Sequence, residues 1–276
     1  MLCLSCYILT MNIAKMTKLP PVEIGFRLDS KHPVIPLTME VENAGCAAPH
    51  AHPRGQLIYA SSGVMRVNCA TGIWLVPPSQ AVWMPPLMEH QVYFSAAVSV
   101  RNLFIDPSAV DGLPGLCCVI NVPPLLRELI LRAMTFDENY RADSVEWRIM
   151  MVILDELRQL KPVPLGLPLP QDERIRQVTE ALLVAPGDSR NLEQWARQVF
   201  TTPRTLARMF VRETGMTFGA WRQQLRLLEA VKRLEQGESV SSIYLDLGYQ
   251  SLSAFIEMFR KTLGKTPGKF FRDDKE

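Results

Sequence analysis

Several features that mark common classes of protein are missing from this sequence of 276 residues. No stretch reaches the roughly 18 consecutive apolar residues of a membrane-spanning helix. No basic residue precedes Lys15, so the sequence lacks the charged start of a secretory signal peptide. It has no glycine-rich phosphate loop, and no Ser-His-Asp, Cys-His or paired-carboxylate arrangement stands out. These absences argue against a membrane protein, a secreted protein and the commonest kinds of hydrolase.

The six cysteines form neither a zinc motif nor a disulfide framework. No CxxC pair is matched by a second CxxC or by a CxxH, and Cys117 and Cys118 are adjacent in the sequence. We therefore expect six reduced thiols in a cytoplasmic protein. Residues 1–19 are expected to form a disordered N-terminal extension, with translation starting at Met11 or Met16 rather than at Met1.

The positive charge of the chain is concentrated near its C-terminus. The formal net charge is only +2, and residues 1–170 carry −1, whereas residues 192–272 carry +6. A basic excess that is confined to one segment favours an anionic partner there. A solvated helical surface would give the same count, so charge alone does not decide between them.

The composition, with 47% hydrophobic and 21% charged residues, is that of a globular protein, and the length suits two domains. Short runs of Val, Ile, Leu and Tyr between Pro and Gly predict strands over 20–107, as in a β-sandwich or barrel. Helical spacing follows at 123–134 and 144–160. Four prolines and one glycine within 161–170 predict a linker over 161–171, and 172–276 is predicted to be helical.

The C-terminal region contains a helix-turn-helix pattern twice. In the first unit, about 191–214, Asn191 caps a short helix, and Thr202 caps a second helix that ends at Gly215. The second unit, about 239–263, repeats the pattern at an offset of 49 residues. The sequence therefore predicts two related units in one chain.

The second helix of each unit has a polar face that suits DNA. Leu206 and Phe210 are predicted to be buried in the first unit, as are Phe255 and Phe259 in the second. Arginine side chains bind guanine edges or phosphates, and short hydroxyl side chains bind either. The predicted DNA-binding residues are Thr202, Arg204, Thr205, Arg208, Arg212, Gln250, Ser251, Ser253, Glu257, Arg260 and Lys261.

The spacing of the two units also suits DNA. The connecting helix is predicted over 218–236, a stretch of 19 residues, which gives a length of roughly 28 Å. One turn of the duplex is roughly 34 Å. Two recognition helices held that far apart would enter successive major grooves on one side of the duplex.

Three of the four histidines form a second pattern, in the β-rich region. His50 and His52 are two residues apart, so both point to one face of a strand, and His90 follows later. The pattern resembles the metal-binding motifs of cupin barrels, with Gln56 in the position of the acidic ligand. Two interpretations stay open: a divalent metal held by three histidines, or a metal-free pocket in which the histidines form hydrogen bonds. The predicted pocket residues are His50, His52, Gln56, Tyr59, Trp83 and His90, with Trp74 and Tyr93 nearby.

Residues 172–272 resemble the DNA-binding domain of AraC/XylS-type transcription regulators. The resemblance is carried by LEQWARQVFTTPRTLARMFVRETGMTFGAW and by SVSSIYLDLGYQSLSAFIEMFRKTLGKTPGKFF. Phe200 stands where members often have Gly, and Glu257 where they often have a basic residue. The resemblance implies an α+β two-domain protein. An N-terminal cupin-like β-barrel followed by helices, residues 20–160, would bind a small effector and pair two chains. A C-terminal all-α domain, residues 172–276, would hold both helix-turn-helix units.

The resulting hypothesis is a cytoplasmic, sequence-specific regulator that binds double-stranded DNA as a homodimer, is not an enzyme and does not engage a membrane. Within the family the chain looks most similar to repressors of a neighbouring efflux gene. No cofactor is expected, and a divalent metal in the pocket stays open. The main alternative is a dioxygenase-like cupin metalloenzyme that uses His50, His52 and His90. A third reading is a module that sequesters a small molecule without binding DNA.

Overall fold

The structure is a computed structural model that describes residues 17–20, 22–77, 80–94, 97–163 and 166–270. The described chain forms two compact units, divided between Gly166 and Leu167. We call the part up to Gly166 the β unit and the part from Leu167 onward the helical unit.

The β unit is built from strands that form two sheets. The first sheet has the order β1-β3-β8-β5-β6, and the second has the order β11-β10-β7-β4-β9-β2. The two sheets enclose a cavity between them and do not close into one continuous barrel, so the predicted β-rich fold is confirmed in this two-sheet form. The strands are β1 Thr17–Leu19, β2 Val34–Val41, β3 Gly45–Ala47, β4 Gly55–Ser62, β5 Met65–Cys69, β6 Gly72–Val76, β7 Gln80–Met84, β8 His90–Phe94, β9 Val98–Ile105, β10 Cys118–Asn121 and β11 Pro162–Val163, with β12 Gly166–Pro168 at the division between the units.

Two helices cover one face of the second sheet: α1 Pro124–Ala133 and α2 Val145–Gln159. Ser144 caps α2, because its side chain accepts a hydrogen bond from the Trp147 backbone N–H. Successive strand residues point to opposite faces, so alternate positions of β2, β4, β7, β9 and β10 pack against α1 and α2. The strand residues of this core are Val34, Leu57, Tyr59, Ala81, Trp83, Leu103, Ile105 and Ile120.

Two predicted boundaries need correction. Residues 17–19 of the expected disordered extension form β1, which pairs in parallel with β3, and the remainder of that extension lies outside the described residues. In the predicted linker 161–171, Pro162 and Val163 form β11 at the edge of the second sheet. An edge strand tolerates proline, because its missing N–H faces no neighbouring strand. A proline-rich stretch was therefore compatible with a short strand.

The helical unit contains α3 Glu173–Val184, α4 Leu192–Gln198, α5 Pro203–Thr214, α6 Phe218–Glu235, α7 Val240–Asp246 and α8 Leu252–Leu263. Its core is aromatic, and the fully buried rings of Trp195, Phe210, Trp221, Phe255 and Phe259 come from four different helices. Phe210 packs edge-on against Phe218, with 5.3 Å between ring centroids. None of the helices in the described part of the chain combines the length and apolarity that a membrane crossing requires.

Candidate functional site

The first helix-turn-helix is fixed at both ends by hydrogen bonds of its own residues. Asn191 Oδ1 accepts from the Gln194 N–H at 2.9 Å, and Gln194 Oε1 accepts from the Asn191 N–H at 2.8 Å, which is a capping box at the start of α4. Thr202 caps α5 by accepting from the Thr205 N–H. Helix α5 ends at Gly215 in the left-handed conformation, at φ 70°.

The second helix-turn-helix repeats this construction. Ser239 caps α7 and Ser251 caps α8, each by accepting from a backbone N–H three residues later. Helix α8 ends at Gly264, at φ 77°. Ser251 therefore lies just before α8 rather than inside it. Its hydroxyl oxygen accepts the cap hydrogen bond from the Ala254 N–H, and its O–H can still donate.

Helix α6 connects the two helix-turn-helix units. Two of its arginines form hydrogen bonds to the segments on either side of it. Arg226 donates to the carbonyl oxygens of Pro186 and Asp188, at 2.9 and 3.1 Å. Arg233 pairs with Glu238 and Asp246, in both cases at 2.6 Å. These contacts hold the start of the second helix-turn-helix unit, and the segment that precedes the first helix-turn-helix unit, against the same helix. The connecting helix has 18 residues, close to the predicted length.

The outer face of α5 presents two arginines to solvent. Leu206 and Phe210 are fully buried, which leaves Arg204 and Arg208 exposed one turn apart. Arg212 is also exposed, but its guanidinium lies 2.9 Å from Glu213 Oε1 and 3.9 Å from Asp172 Oδ2. Part of its charge is thereby neutralised. Among the described residues, neither Arg204 nor Arg208 pairs with an acidic side chain.

The outer face of α8 is more mixed in charge. Phe255 and Phe259 are fully buried, and the opposite face carries exposed acidic, basic and hydroxyl side chains. The predicted residues on this face are Gln250, Ser251, Ser253, Glu257, Arg260 and Lys261, all of them exposed. The half-buried Thr205 on α5 completes the predicted set, and its hydroxyl accepts from Thr202 Oγ1 at 2.9 Å.

The turn between α4 and α5 contains a strained residue. Phe200 has a φ of 53°, in the left-handed region, and 96% of its surface is exposed. A residue with a Cβ pays about 1–2 kcal/mol for this conformation. We expect Phe200→Gly to raise the free energy of unfolding of the helical unit by about 1 kcal/mol relative to Phe200→Ala, because both variants remove the ring but only glycine removes the strain. Hydrogen exchange of the helical unit measures the difference, and equal stabilities would contradict the strain.

A cavity that opens to solvent lies between the two sheets of the β unit. Its apolar walls include Met39, Ile58, Val92, Phe94 and Val100, which come from both sheets. Its polar wall consists of His50, Gln56, His90 and Asn102. The chemistry of this lining suits a ligand with an apolar body and one polar edge.

The three histidines of the sequence pattern lie together beside this cavity. The ring centroids of His50 and His90 are 4.5 Å apart, and those of His52 and His90 are 5.3 Å apart. His52 and His90 are each only 2% exposed. Burial lowers the pKa of His52 and lowers the pKa of His90 to about 4. Both rings are therefore neutral at pH 7, with their nitrogen lone pairs available to a ligand.

Two predicted pocket residues lie elsewhere. Tyr59 and Trp83 face α1 and α2 in the core of the β unit, and Trp83 Nε1 donates to the Pro114 carbonyl oxygen at 2.6 Å. The prediction that they share a pocket with the histidines was wrong. The reason is strand alternation: Gln56 and Ile58 of β4 face the cavity, so Tyr59 faces the helices.

The two nearby aromatic residues also differ from the pocket prediction. Tyr93 stacks under the guanidinium of Arg66, at 4.2 Å from the ring centroid. Trp74 is buried in β6, and its indole closely approaches Gly166. Neither residue lines the cavity.

Two polar residues of the site were missed in the sequence. Asn102 lines the cavity, and its Oδ1 accepts from Gln56 Nε2 at 2.9 Å. Arg54 is fully buried, and it donates to the carbonyl oxygens of Arg27, Asp29, His32 and Phe104. Arg54 thereby ties the segment before β2 to the sheet. A single arginine next to the histidine pair was the only available signal, and it does not distinguish a buried side chain from an exposed one.

Cys69 is the most reactive thiol that the structure indicates. A hydrogen bond from the Cys117 thiol lowers the pKa of Cys69 to about 6, against the opposing effect of burial and with help from Thr71, whose hydroxyl is 3.2 Å from Sγ. Burial raises the pKa of Cys117, and it raises the pKa of Cys118 to about 11. Cys69 is therefore largely thiolate at pH 7 and protonates as the pH falls below about 6.

We expect limiting iodoacetamide at pH 7.5 to modify Cys69 before Cys46, Cys117 or Cys118. Peptide mass spectrometry measures the order of labelling. The rate at Cys69 should fall as the pH is lowered below about 6, and Cys69→Ser should remove the fast phase. Equal rates at Cys69 and at the similarly half-buried Cys118 would contradict the assigned pKa of Cys69.

Comparison with known proteins finds a matching family for each of the two parts of the chain. Residues 40–146 match the AraC-like ligand binding domain family, and residues 195–273 match a helix-turn-helix domain family. The chain is 40% identical over 221 residues to the HTH-type transcriptional regulator NimR of Escherichia coli. This alignment covers 80% of this chain and 81% of NimR. It is 33% identical to RipA of Corynebacterium glutamicum over 37% of this chain and 31% of that protein. Among solved structures, ToxT from Vibrio cholerae aligns over 87% of this chain and 98% of its own, with 9% identity and a TM-score of 0.37.

Proposed function

The chain belongs to the AraC family of transcription regulators, and from this premise we propose that it represses a neighbouring efflux or transport gene until a small molecule enters the β unit. The family assignment establishes the coarser statement: the chain is a transcription regulator with a DNA-binding domain and a domain for a small-molecule effector, and it is not an enzyme. The dioxygenase-like alternative is set aside on the same ground.

We propose that both helix-turn-helix units bind DNA, in two successive major grooves. The observation that carries this proposal is the repeated capped construction, in which α5 and α8 each bury one aromatic face and expose a polar one. Helix α6, with 18 residues, spans about 27 Å. This length suits one turn of the duplex, and Arg226 and Arg233 keep the segments at its sides attached.

We propose that the effector occupies the cavity of the β unit. The apolar walls from two sheets and the polar edge formed by His50, Gln56, His90 and Asn102 support this. The residues Leu19 and Pro20, which precede β2, also line the cavity. A ligand that contacts this segment and both sheets would favour one arrangement of the β unit over another, which is what a regulatory effector requires.

We also propose that two chains pair through the outer surface of α1 and α2. Leu125 on α1 and Val145 and Val152 on α2 are between 45% and 58% exposed, although the other face of both helices is buried in the core. Homodimers of twofold symmetry are the commonest soluble assemblies. Light scattering should give twice the chain mass, and Val152→Glu should reduce it to that of one chain.

The function is tested by measuring DNA binding by the purified full-length protein. Fluorescent duplexes from the region upstream of its own gene and of the adjacent transport gene are titrated against scrambled duplexes at several salt concentrations. We expect selective binding whose logarithmic association constant falls linearly with the logarithm of the salt concentration. We also expect the protein to release the duplex when a compound that the product of the adjacent gene transports is added. Binding to none of the duplexes above the scrambled control would contradict a local regulator. A module that only sequesters a small molecule would bind the compound and no DNA.

A further inference from the structure

We propose that His50, His52 and His90 bind one divalent first-row transition-metal ion at the wall of the effector cavity. One ring nitrogen of each histidine lies within 4.8 Å of those of the other two. In a tetrahedral site with ligand bonds of about 2.1 Å, neighbouring ligand atoms are about 3.4 Å apart. Ring rotations that bring these atoms up to about 1.4 Å closer together would close the site.

The backbone fixes which nitrogen of each ring faces the site. The Nδ1 atoms of His50, His52 and His90 lie 2.7 to 2.9 Å from the carbonyl oxygens of Ala48, Arg54 and Met88. A carbonyl oxygen only accepts, so each Nδ1 carries a proton, and Nε2 is the atom that can present a lone pair to an ion. Metal-binding histidines have this arrangement, because the outer hydrogen bond orients the ring and raises its basicity.

Two polar atoms at the centre of the cluster have no donor. His90 is only 2% exposed, and its buried Nε2 lacks a hydrogen-bond partner. His52 Nε2 lies 3.1 Å from Gln56 Oε1, so two acceptors face each other. Rotation of the Gln56 and Asn102 amides would supply a donor to His52, but it would leave His90 without one. A cation between the rings satisfies both histidines at once.

The backbone that carries the three rings is held in place before any ion arrives. His50 and His90 exchange two backbone hydrogen bonds, of 3.1 and 2.9 Å. Gly25 packs so closely on His52 that a Cβ at this position would lie 2.7 Å from the imidazole ring. A site that is preorganised by its supporting residues binds metal with little loss of side-chain freedom.

The donor set selects the class of metal. Three imidazole ligands suit zinc, cobalt, nickel, copper or ferrous iron, whereas magnesium and calcium prefer sites made of oxygen ligands. His50, His90 and Gln56 line the cavity, so a remaining coordination position faces the effector. On the proposed function, the effector then has a nitrogen or oxygen donor that completes the coordination of the ion. This second step rests on the proposed function, whereas the metal site itself does not.

The test uses the full-length protein after removal of metal with a chelator. Cobalt(II) alone is titrated in, its visible absorption is followed, and zinc is then added as a competitor. We expect one equivalent to bind. The variant His50→Gln changes the most exposed of the three ligands and should weaken cobalt binding by at least about 100-fold, since loss of an outer partner alone costs about 10–100-fold. The matched control is His32→Gln, because His32 pairs with Asp29 outside the cluster and should bind cobalt like the unaltered protein.

Three outcomes would overturn the metal site: no spectral change in the unaltered protein, equal affinity in His50→Gln, or a sulfur-to-cobalt charge-transfer band that places the ion on a cysteine. Circular dichroism of each variant confirms that the fold is retained. DNA binding is measured on the same samples, so the two proposals fail separately. Selective DNA binding without metal uptake rejects only the metal site, and metal uptake without DNA selectivity rejects only the proposed function.

Discussion

Replacing Arg204 or Arg208 with alanine is expected to weaken binding to the selected duplex by about 1–3 kcal/mol each, or roughly 5- to 150-fold. Both side chains are exposed on the same face of α5, and the opposite face is held in the core by Leu206 and Phe210. No ion pair with a described acidic residue competes for them. If an arginine binds a guanine edge, its loss relaxes selectivity at one base pair. If it binds phosphate, affinity falls on all duplexes and the salt slope drops by about one.

The matched control for this prediction is Arg176→Ala. Arg176 lies on α3, outside both helix-turn-helix units, and pairs with Glu173. Its loss should leave DNA affinity unchanged at a given salt concentration. Arg212→Ala is expected to fall between the control and Arg208→Ala, because Glu213 already neutralises part of its charge. Full affinity in the Arg204→Ala, Arg208→Ala double variant would show that α5 does not lie against the duplex.

Replacing Arg54 with methionine is expected to lower the free energy of opening of the β unit by about 3–5 kcal/mol, the typical cost of removing one member of a buried charged pair. The guanidinium is fully buried. It donates to four carbonyl oxygens and lies 3.4 Å from Asp106 Oδ2. Methionine fills a similar volume but removes the guanidinium donor from all four oxygens, of which Asp29 O keeps the His32 backbone N–H at 3.1 Å. It also leaves Asp106 without its cation.

Hydrogen exchange resolved by peptides is the appropriate measurement, because two compact units do not unfold as one two-state system. The loss of protection should be largest in β2, β4 and β9, with the helical unit unchanged. The exposed Arg141 gives the control, since Arg141→Met should change stability by no more than about 0.5 kcal/mol. Similar effects of the two substitutions would mean that the Arg54 contacts contribute little.

The ends of α5 and of the connecting helix α6 were predicted to within about one residue, because their signals are local. Thr202, Pro203 and Gly215 mark both ends of α5, and the phase of Leu206 and Phe210 identifies its buried face. Caps and left-handed glycines act within a few residues of the chain, so they can be recognised without any knowledge of the tertiary contacts. The exposed arginines followed from the same phase.

The cavity was predicted less well, because its strands are buried on both faces. In β4 the residues from Gly55 to Ala60 are all buried, so no alternation of polar and apolar residues shows which side faces the cavity. Tyr59 was therefore assigned to the wrong side. The role of Arg54 depends on carbonyl oxygens up to 50 residues away in the chain, and no sequence pattern encodes such contacts.

Selection of duplexes from a random DNA pool by the full-length protein tests most directly whether both helix-turn-helix units bind DNA. We predict two enriched blocks whose centres are about 10 base pairs apart, one for α5 and one for α8. With the Arg204→Ala, Arg208→Ala double variant, we predict that only the α8 block remains enriched. A single block with the unaltered protein, or no enrichment at all, would contradict the account of two recognition helices on successive turns.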